Sequence, residues 1–395
     1  MNLPISLNEM NNKYALNLKM LSHEKGQIHL KPSEPLPIKA RSSTIDIAKG
    51  IGILLIVLGH DAGFSRYFPQ FADFLGGIRM PFFFFISGVT FSLGRRDLTD
   101  IAITRADAWL KPFVVVVTIF GCLNILRGTG TFEGLVLALT YGTGYTLSPR
   151  AVWFLPHLWL LYVSCSALLM YCQYLFSTNI RRTASLTILL GVGYSVLDMF
   201  NNPYENNDCF KMTEFSTALF SCGLPMSADF LLITAAFFIF GVFMSATVKN
   251  FKFSSLHLGV ALCIVSVVWF SFGDSMNLNY RQYDHLLGTT ALAFSGIYLM
   301  LGLSSLLGKI AWAEKGLTFI GRGSLFILLF HMPILYNFPA ILNRILPYKS
   351  AVEATVLLCA MFIPLAIWQT CKRFQITRAM FFPIYKRGEP AMRSS

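Results

Sequence analysis

Residues 44–63 read TIDIAKGIGILLIVLGHDAG. This stretch has the apolar composition and the length of a helix that crosses a bilayer, whose hydrocarbon core is about 30 Å thick. It also contains Asp46, Lys49 and His60. A charged side chain inside a bilayer is costly, so ionisable residues there are usually functional or paired. The stretch therefore predicts a membrane protein with a polar site along its first helix.

Nine further apolar runs follow the first one. Hydrophobic residues make up 54% of the 395 residues and charged residues only 13%, whereas a soluble domain carries about 25% charged residues. The sequence therefore predicts an all-α, polytopic integral membrane protein with about ten transmembrane helices. The ten runs are 44–62, 78–94, 112–127, 151–176, 184–200, 226–248, 256–272, 285–308, 317–336 and 351–371.

The net charge of +12 indicates orientation rather than nucleic-acid binding. If the N-terminus is cytoplasmic and the chain crosses ten times, the cytoplasmic segments contain 23 Lys and Arg residues and the external segments contain eight. This asymmetry follows the positive-inside rule. We expect both termini in the cytoplasm, a lipid bilayer as the surroundings and no nucleic-acid partner.

The chain divides into three parts. Residues 1–43 are polar and lack the apolar core of a signal peptide, so they predict a disordered cytoplasmic tail. Residues 44–371 form one membrane domain, and residues 372–395 form a basic cytoplasmic tail. The external loops at about 128–150 and 201–225 are too short for a soluble catalytic domain. Any chemistry must therefore be built at the membrane.

The ionisable residues of the first helix share one face. His60 is eleven positions after Lys49, which is about 20° from three full turns and about 16 Å along the axis. Asp46 precedes Lys49 by three residues and can pair with it. A purely structural interpretation remains open, in which Lys49 snorkels to the headgroups and His60 caps a helix end.

The segment DIAKGIGILLIVLGH (46–60) resembles the first helix of the acyltransferase-3 family of membrane O-acyltransferases. The resemblance is strongest to the sugar O-acetylase branch, which includes fucose 4-O-acetylase. That family carries an Arg, ten residues and then a His on this helix. The spacing is kept here, but Lys49 stands in the place of Arg and cannot make a bidentate contact. The resemblance covers residues 43–371.

The motif IRMPFFFFISG (78–88) is similar to the second-helix motif of the family. Pro81 is expected in the first turn of a helix, where its missing N–H does no harm. Arg79 would then open this span on the external side. Ser87 and Gly88 would let either another backbone or a thin ligand approach closely.

Two later segments also resemble the family, AVWFLPHLWLL (151–161) and IGRGSLFILLFHMPI (320–334). Trp153 at a helix entrance is also typical of an interfacial aromatic belt. The ten-span topology places four of the seven histidines near the external membrane boundary, which predicts a cluster there. They are His60, His157, His285 and His331.

The resemblance implies acetyl-CoA as co-substrate, a carbohydrate or lipid-linked glycan as acceptor, and the bacterial inner membrane as location. Imidazole suits the removal of a hydroxyl proton, so His60 is the candidate base, or else the carrier of the acyl group. The other candidate catalytic residues are Asp46, Lys49 and Arg79. Expected CoA-binding residues are Lys49, Ser87, Arg95, Arg96, Lys111 and Arg322, and expected acceptor-binding residues are Trp153, His157 and His331.

Two other classes of protein remain open. A transporter of a lipid-linked or amphipathic solute explains ten spans and buried charge equally well, although the chain shows no internal repeat. A structural or regulatory membrane protein would need none of the ionisable residues in the first helix.

The cysteines predict one disulfide. Six of the eight lie in or beside apolar runs and are explained as small apolar residues. Cys209 and Cys222 share an external loop, where an oxidising compartment would allow a bond. The chain has no CxxC pair, so no metal site is expected.

The charge asymmetry makes the topology testable. Reporter fusions at both ends of the chain are expected to report a cytoplasmic N-terminus and a cytoplasmic C-terminus, because the basic segments stay on that side. A cysteine placed in the external loop at 128–150 should react with an impermeant thiol reagent on intact cells. A C-terminus that reacts only from outside would contradict the ten-span topology.

Overall fold

The computed structural model describes residues 43–94, 97–200, 209, 214–215, 218–273 and 276–384. Except for Ser43, the N-terminal tail predicted to be disordered lies outside these residues. The helices are Ser43–His60 (α1), Ala62–Tyr67 (α2), Pro69–Val89 (α3), Leu98–Arg105 (α4), Lys111–Leu126 (α5), Phe132–Tyr141 (α6), Phe154–Tyr171 (α7), Asn179–Leu197 (α8), Ala218–Ser221 (α9), Leu231–Lys249 (α10), Ser255–Phe272 (α11), Leu286–Leu307 (α12), Ala311–Arg322 (α13), Ser324–Leu342 (α14), Lys349–Cys371 (α15) and Gln375–Phe381 (α16). Met276–Asn277 (β1) and Gln282–Tyr283 (β2) pair as a short antiparallel hairpin.

Eight helices of the described chain are long and apolar enough to cross a membrane, which confirms the prediction of an all-α polytopic protein. They contain α1, α3, α4 with α5, α7, α10, α12, α14 and α15, and a π-helical turn at Ala106–Leu110 joins α4 to α5. The fifth and seventh predicted runs correspond to α8 and α11. In α11 only the stretch Ser255–Ser271 counts as an apolar helix, which is shorter than the eight, and α8 begins with the polar segment Asn179–Arg182.

Three of the predicted runs have wrong boundaries. The second span begins at Pro69 and not at 78, so Arg79 and Pro81 lie inside α3 rather than at its entrance. Its first half, PQFADFLGG, is too polar to register as an apolar run, yet it is helical. The third span begins at Leu98 and not at 112. The ninth run, 317–336, is divided by Gly323 between the end of α13 and the first part of α14.

Helix α1 lies among α3, α12, α13 and α14 and contacts all four. Backbone meets backbone at its contact with α13. A Cβ at Gly50 would overlap the carbonyl oxygen of Leu317, and a Cβ at Gly321 would overlap the carbonyl oxygen of Asp46. The Asp46 side chain is only 2% exposed. The charged start of α1 is thus enclosed by protein rather than by lipid.

Glycines also bring α3 against α10. A Cβ at Gly88 would overlap the carbonyl oxygen of Phe238, and a Cβ at Gly241 would overlap the carbonyl oxygen of Phe85. Of the two expectations for the Ser87-Gly88 pair, the structure shows close approach of another backbone at Gly88. Small residues permit this kind of contact between membrane helices.

The β1–β2 hairpin is fixed by a buried ion pair. Arg281 donates from Nε and Nη2 to the carboxylate of Asp229 at 2.9 and 3.2 Å, and neither side chain is exposed. Arg281 also donates from Nη1 to the carbonyl oxygen of Asn279 at 2.9 Å. Because both charges are desolvated, the pair is stable only with such complete hydrogen bonding.

The disulfide predicted between Cys209 and Cys222 is confirmed, with a Cα–Cα distance of 5.7 Å. Tyr145 donates its hydroxyl to the Cys222 carbonyl, and Tyr141 donates to the Gly223 carbonyl at 2.5 Å. The guanidinium group of Arg281 lies 5.1 Å from the ring centroid of Tyr145. We call this assembly of the hairpin, the Asp229–Arg281 pair and the disulfide segment the roof.

Because α3 and α10 touch backbone to backbone at Gly241, we expect one added methyl group there to destabilise the protein. Gly241→Ala should lower stability by about 1–3 kcal/mol, because the new Cβ forces two backbones apart. Thermal unfolding of the purified protein in detergent measures the loss. Gly259→Ala in α11 is the matched control, since a Cβ there meets nothing within 4 Å. Equal melting temperatures for the two variants would contradict the predicted overlap.

Candidate active site

His60 ends α1 beside a small cavity of about 50 Å³. The cavity combines one imidazole, one guanidinium and two amides with an apolar wall, which is a composition suited to holding a small polar group. Its lining residues are Ile56, His60, Arg79, Met80, Ala151, Trp153, Phe154, Asn277, Asn279 and Leu328. Three candidates from the sequence, His60, Arg79 and Trp153, are therefore brought together.

Arg79 reaches the cavity across the surface of α1. A Cβ at Gly59 would overlap Nη1 of Arg79, so the glycine next to His60 makes room for the guanidinium group. Among the described residues, Nη1 of Arg79 is buried and has no hydrogen-bond partner. A buried charged donor without a partner is costly, and it can bind an oxygen atom that carries negative charge.

His331 lies directly behind His60, with ring centroids 5.4 Å apart. Its side chain is fully buried. Nδ1 is 2.7 Å from the carbonyl oxygen of Ile327, and because a carbonyl only accepts, Nδ1 carries the proton. Nε2 is therefore an acceptor, and it has no partner among the described residues. His331 therefore lies next to His60 but does not line the cavity.

His157 is not part of the cavity. It is fully buried, with Nδ1 bonded to the Met226 carbonyl at 3.1 Å and Nε2 bonded to Thr234 Oγ1 at 3.0 Å. Both nitrogens are therefore occupied, and the residue ties α7 to α10. His285 lies at the N-cap of α12 and does not line the cavity either. Four histidines were expected to cluster near the external membrane boundary. Of these, the structure places His60 and His331 side by side.

Asn277 and Asn279 belong to the site and were missed from the sequence. They come from the β1–β2 hairpin of the roof, and Oδ1 of Asn279 is buried without a partner among the described residues. The sequence signal is only two asparagines between apolar runs. Their position depends on the distant Asp229–Arg281 pair, which no local pattern indicates.

A larger cavity of about 300 Å³ lies at the other end of α1. It contains Lys49 and Ser87, as expected for the donor side, together with Arg105 and Ser324. Its remaining lining residues are Ile53, Ile56, Phe83, Ile86, Thr90, Trp109, Phe154, Leu155, Leu158, Tyr162, Leu325 and Leu328.

Arg105 is the third residue that sequence reasoning missed. Its guanidinium group lies 5.1 Å from the centroid of Trp109 and 4.6 Å from that of Tyr162. Arg105 directly precedes the π-helical turn Ala106–Leu110. Such turns are frequent at functional sites. An Arg four residues before a Trp is visible in the sequence, but the π turn that places both at a cavity is not.

The other basic residues expected to bind the donor have different surroundings. Arg322 Nε lies 3.4 Å from Asp46 Oδ2 and forms an ion pair there. Lys111 Nζ donates to Asp107 and to the carbonyl oxygen of Phe382. Arg95 and Arg96 lie outside the described residues. Lys49 and Arg105 are therefore the cations that line the larger cavity.

Three apolar side chains separate the two cavities and line both of them. They are Ile56 of α1, Phe154 of α7 and Leu328 of α14, and each is at most 7% exposed. We call them the partition. Lys49, Ile53, Ile56 and His60 follow one another on a single face of α1, so the first helix lines both cavities along its length.

Asp61 begins the next element beyond His60. It caps α2 by accepting a hydrogen bond from the Phe64 amide at 2.6 Å. Burial raises the pKa of the Asp61 carboxyl, and the hydrogen bond partly offsets this effect. This cap starts α2 directly after the end of α1.

Comparison with known proteins agrees with the first-helix resemblance. The family model Acyl_transf_3, described as an acyltransferase domain, matches residues 43–370. No curated protein and no solved structure matches the chain. The match spans nearly all of the described helices and favours an acyltransferase over a transporter. The chain therefore belongs to the acyltransferase-3 family of membrane acyltransferases.

Proposed function

We propose that the protein transfers an acetyl group from cytoplasmic acetyl-CoA to a hydroxyl of a surface glycan or its lipid-linked precursor, in a bacterial inner membrane with both termini cytoplasmic. One observation carries the proposal. His60 and Arg79 line a small cavity, and only the partition separates it from a larger cavity that contains Lys49 and Arg105. Donor and acceptor can thus approach the same point from opposite ends of α1.

The larger cavity suits the donor. CoA is anionic, and Lys49 and Arg105 supply two cations where its phosphates would enter. Its thin pantetheine arm fits a cavity with mostly apolar walls along α1. The distance of about 16 Å from Lys49 to His60 is comparable to the reach of such an arm.

The small cavity suits the transfer. The acceptor hydroxyl oxygen attacks the thioester carbonyl carbon, the carbon–sulfur bond breaks, and the products are an O-acetyl ester and the CoA thiol. His60 accepts the hydroxyl proton and returns it to the departing sulfur. Arg79 Nη1 stabilises the negative charge that develops on the carbonyl oxygen.

An acyl-histidine route uses the same residues. His60 attacks the thioester first, carries the acetyl group, and then releases it to the acceptor. Brief incubation with labelled acetyl-CoA without acceptor separates the two routes, because only the second one labels the protein. His331 keeps its role in either route, since it holds a proton on Nδ1 and presents Nε2 beside His60.

The role of His60 gives the decisive test of function. His60→Ala should lower acetyl transfer about 10²–10⁴-fold, the usual contribution of a positioned proton acceptor. The assay is thiol release from acetyl-CoA by the full-length protein in lipid nanodiscs, with a lipid-linked glycan fraction as acceptor. Mass spectrometry of the glycan verifies the ester.

A histidine substitution outside the site is the matched control for this test. His257→Ala should keep normal transfer, because His257 is exposed at the start of α11 and lines neither cavity. Normal transfer by His60→Ala at equal protein level would reject the proposed chemistry.

The position of Arg79 gives a second test. Gly59→Ala should lower transfer about 10²–10³-fold, the usual effect of losing one oxyanion donor, because the added Cβ displaces the flexible end of Arg79. Stability should change little, since a side chain and not a backbone must move. Gly191→Ala in α8, where a Cβ meets nothing within 4 Å, is the control. Transfer by Gly59→Ala equal to that of the control would contradict the role of Arg79.

A further inference from the structure

The partition bounds two cavities of very different volume, and the transfer chemistry does not explain the difference. The cavity beyond it has a volume of about 50 Å³, against about 300 Å³ on the Lys49 side. On the scale of these cavity volumes, one water molecule needs about 10–15 Å³. The small cavity therefore has room for about four water-sized groups, which is enough for an acetyl group but not for a group with two additional methylenes.

The side chains that close this cavity are held firmly. The Phe154 ring lies 5.5 Å from that of Phe84 and 6.0 Å from that of Phe83, measured between centroids. Leu328 and Ile56 are buried, with 7% and 5% of their surfaces exposed. Ile56 is one helical turn before His60. This packing limits how far the three side chains can move aside for a longer acyl chain.

We propose that Ile56, Phe154 and Leu328 set the length of the transferred acyl group by bounding a cavity that accepts acetyl and excludes chains of four or more carbons. This inference rests on the proposed function. Every donor undergoes the same reaction, in which the acceptor oxygen bonds to the carbonyl carbon, the carbon–sulfur bond breaks and the proton passes to the thiol. The three side chains act only on the part of the donor that fits beside Arg79 and His60.

Removal of methyl groups from the partition should change donor choice. The measurement is thiol release from acetyl-CoA, propionyl-CoA and butyryl-CoA by the full-length protein in nanodiscs, with one glycan fraction as acceptor throughout. Wild-type protein should strongly prefer acetyl-CoA. Leu328→Ala should raise the ratio of the butyryl rate to the acetyl rate about tenfold or more, since one methylene in an apolar pocket typically changes selectivity by that factor.

Leu329→Ala is the matched control. It removes the same atoms from the next residue of α14, which is fully buried but lines neither cavity. It should leave the ratio of the butyryl rate to the acetyl rate unchanged. Ile56→Val is a milder second variant in case Leu328→Ala fails to fold, and it should raise the ratio of the propionyl rate to the acetyl rate.

The outcomes separate this inference from the proposed function. Thiol release from acetyl-CoA by wild type, with donor ratios in the partition variants equal to that of Leu329→Ala, would reject the inference alone. Equal use of acetyl-CoA and butyryl-CoA by wild type would also reject it. Absence of thiol release from every donor would reject the proposed function, and the inference with it.

Discussion

Hydrocarbon cannot solvate the polar stripe of the first helix, and the arrangement of the other helices follows from that constraint. Charged groups in a bilayer must face protein or a water-filled cavity. Gly50 lets α13 lie directly on the start of α1, where Arg322 pairs with Asp46. Gly59 lets Arg79 lie on its other end. The glycines of α1 are thus the means by which a polar helix is enclosed inside an apolar bundle.

The enclosed stripe is polar at both ends and apolar in the middle. Lys49 stands at one cavity and His60 at the other, with Ile53 and Ile56 between them. The proposed transfer between a charged cytoplasmic donor and an external acceptor would need such a division, because an open polar channel would leak ions and water. In that proposal, the apolar middle would admit a thin, weakly polar chain and would keep the two aqueous sides apart.

The parts of the site that were predictable from the sequence depend on local periodicity. The spacing of Lys49 and His60 fixes a common face for any helix, and the structure keeps that face. Asn279 and Arg105 were missed because a distant ion pair and a π-helical turn position them. His157 was expected to bind the acceptor, but distant partners use both of its nitrogens. Composition shows which residue types are present, but only tertiary contacts show which of their polar atoms remain free of protein partners and can bind a ligand.

The roof also limits the order in which the protein can be completed during synthesis. It joins Tyr145, Cys222 and Asp229 to Arg281, so segments separated by more than a hundred residues meet in one assembly. Asp229 pairs with Arg281, which the ribosome makes 52 residues later. The two asparagines arrive with that same hairpin. The cavity at His60 is therefore finished late, and a chain that stops before the hairpin has α1 but lacks the two asparagines that line its cavity.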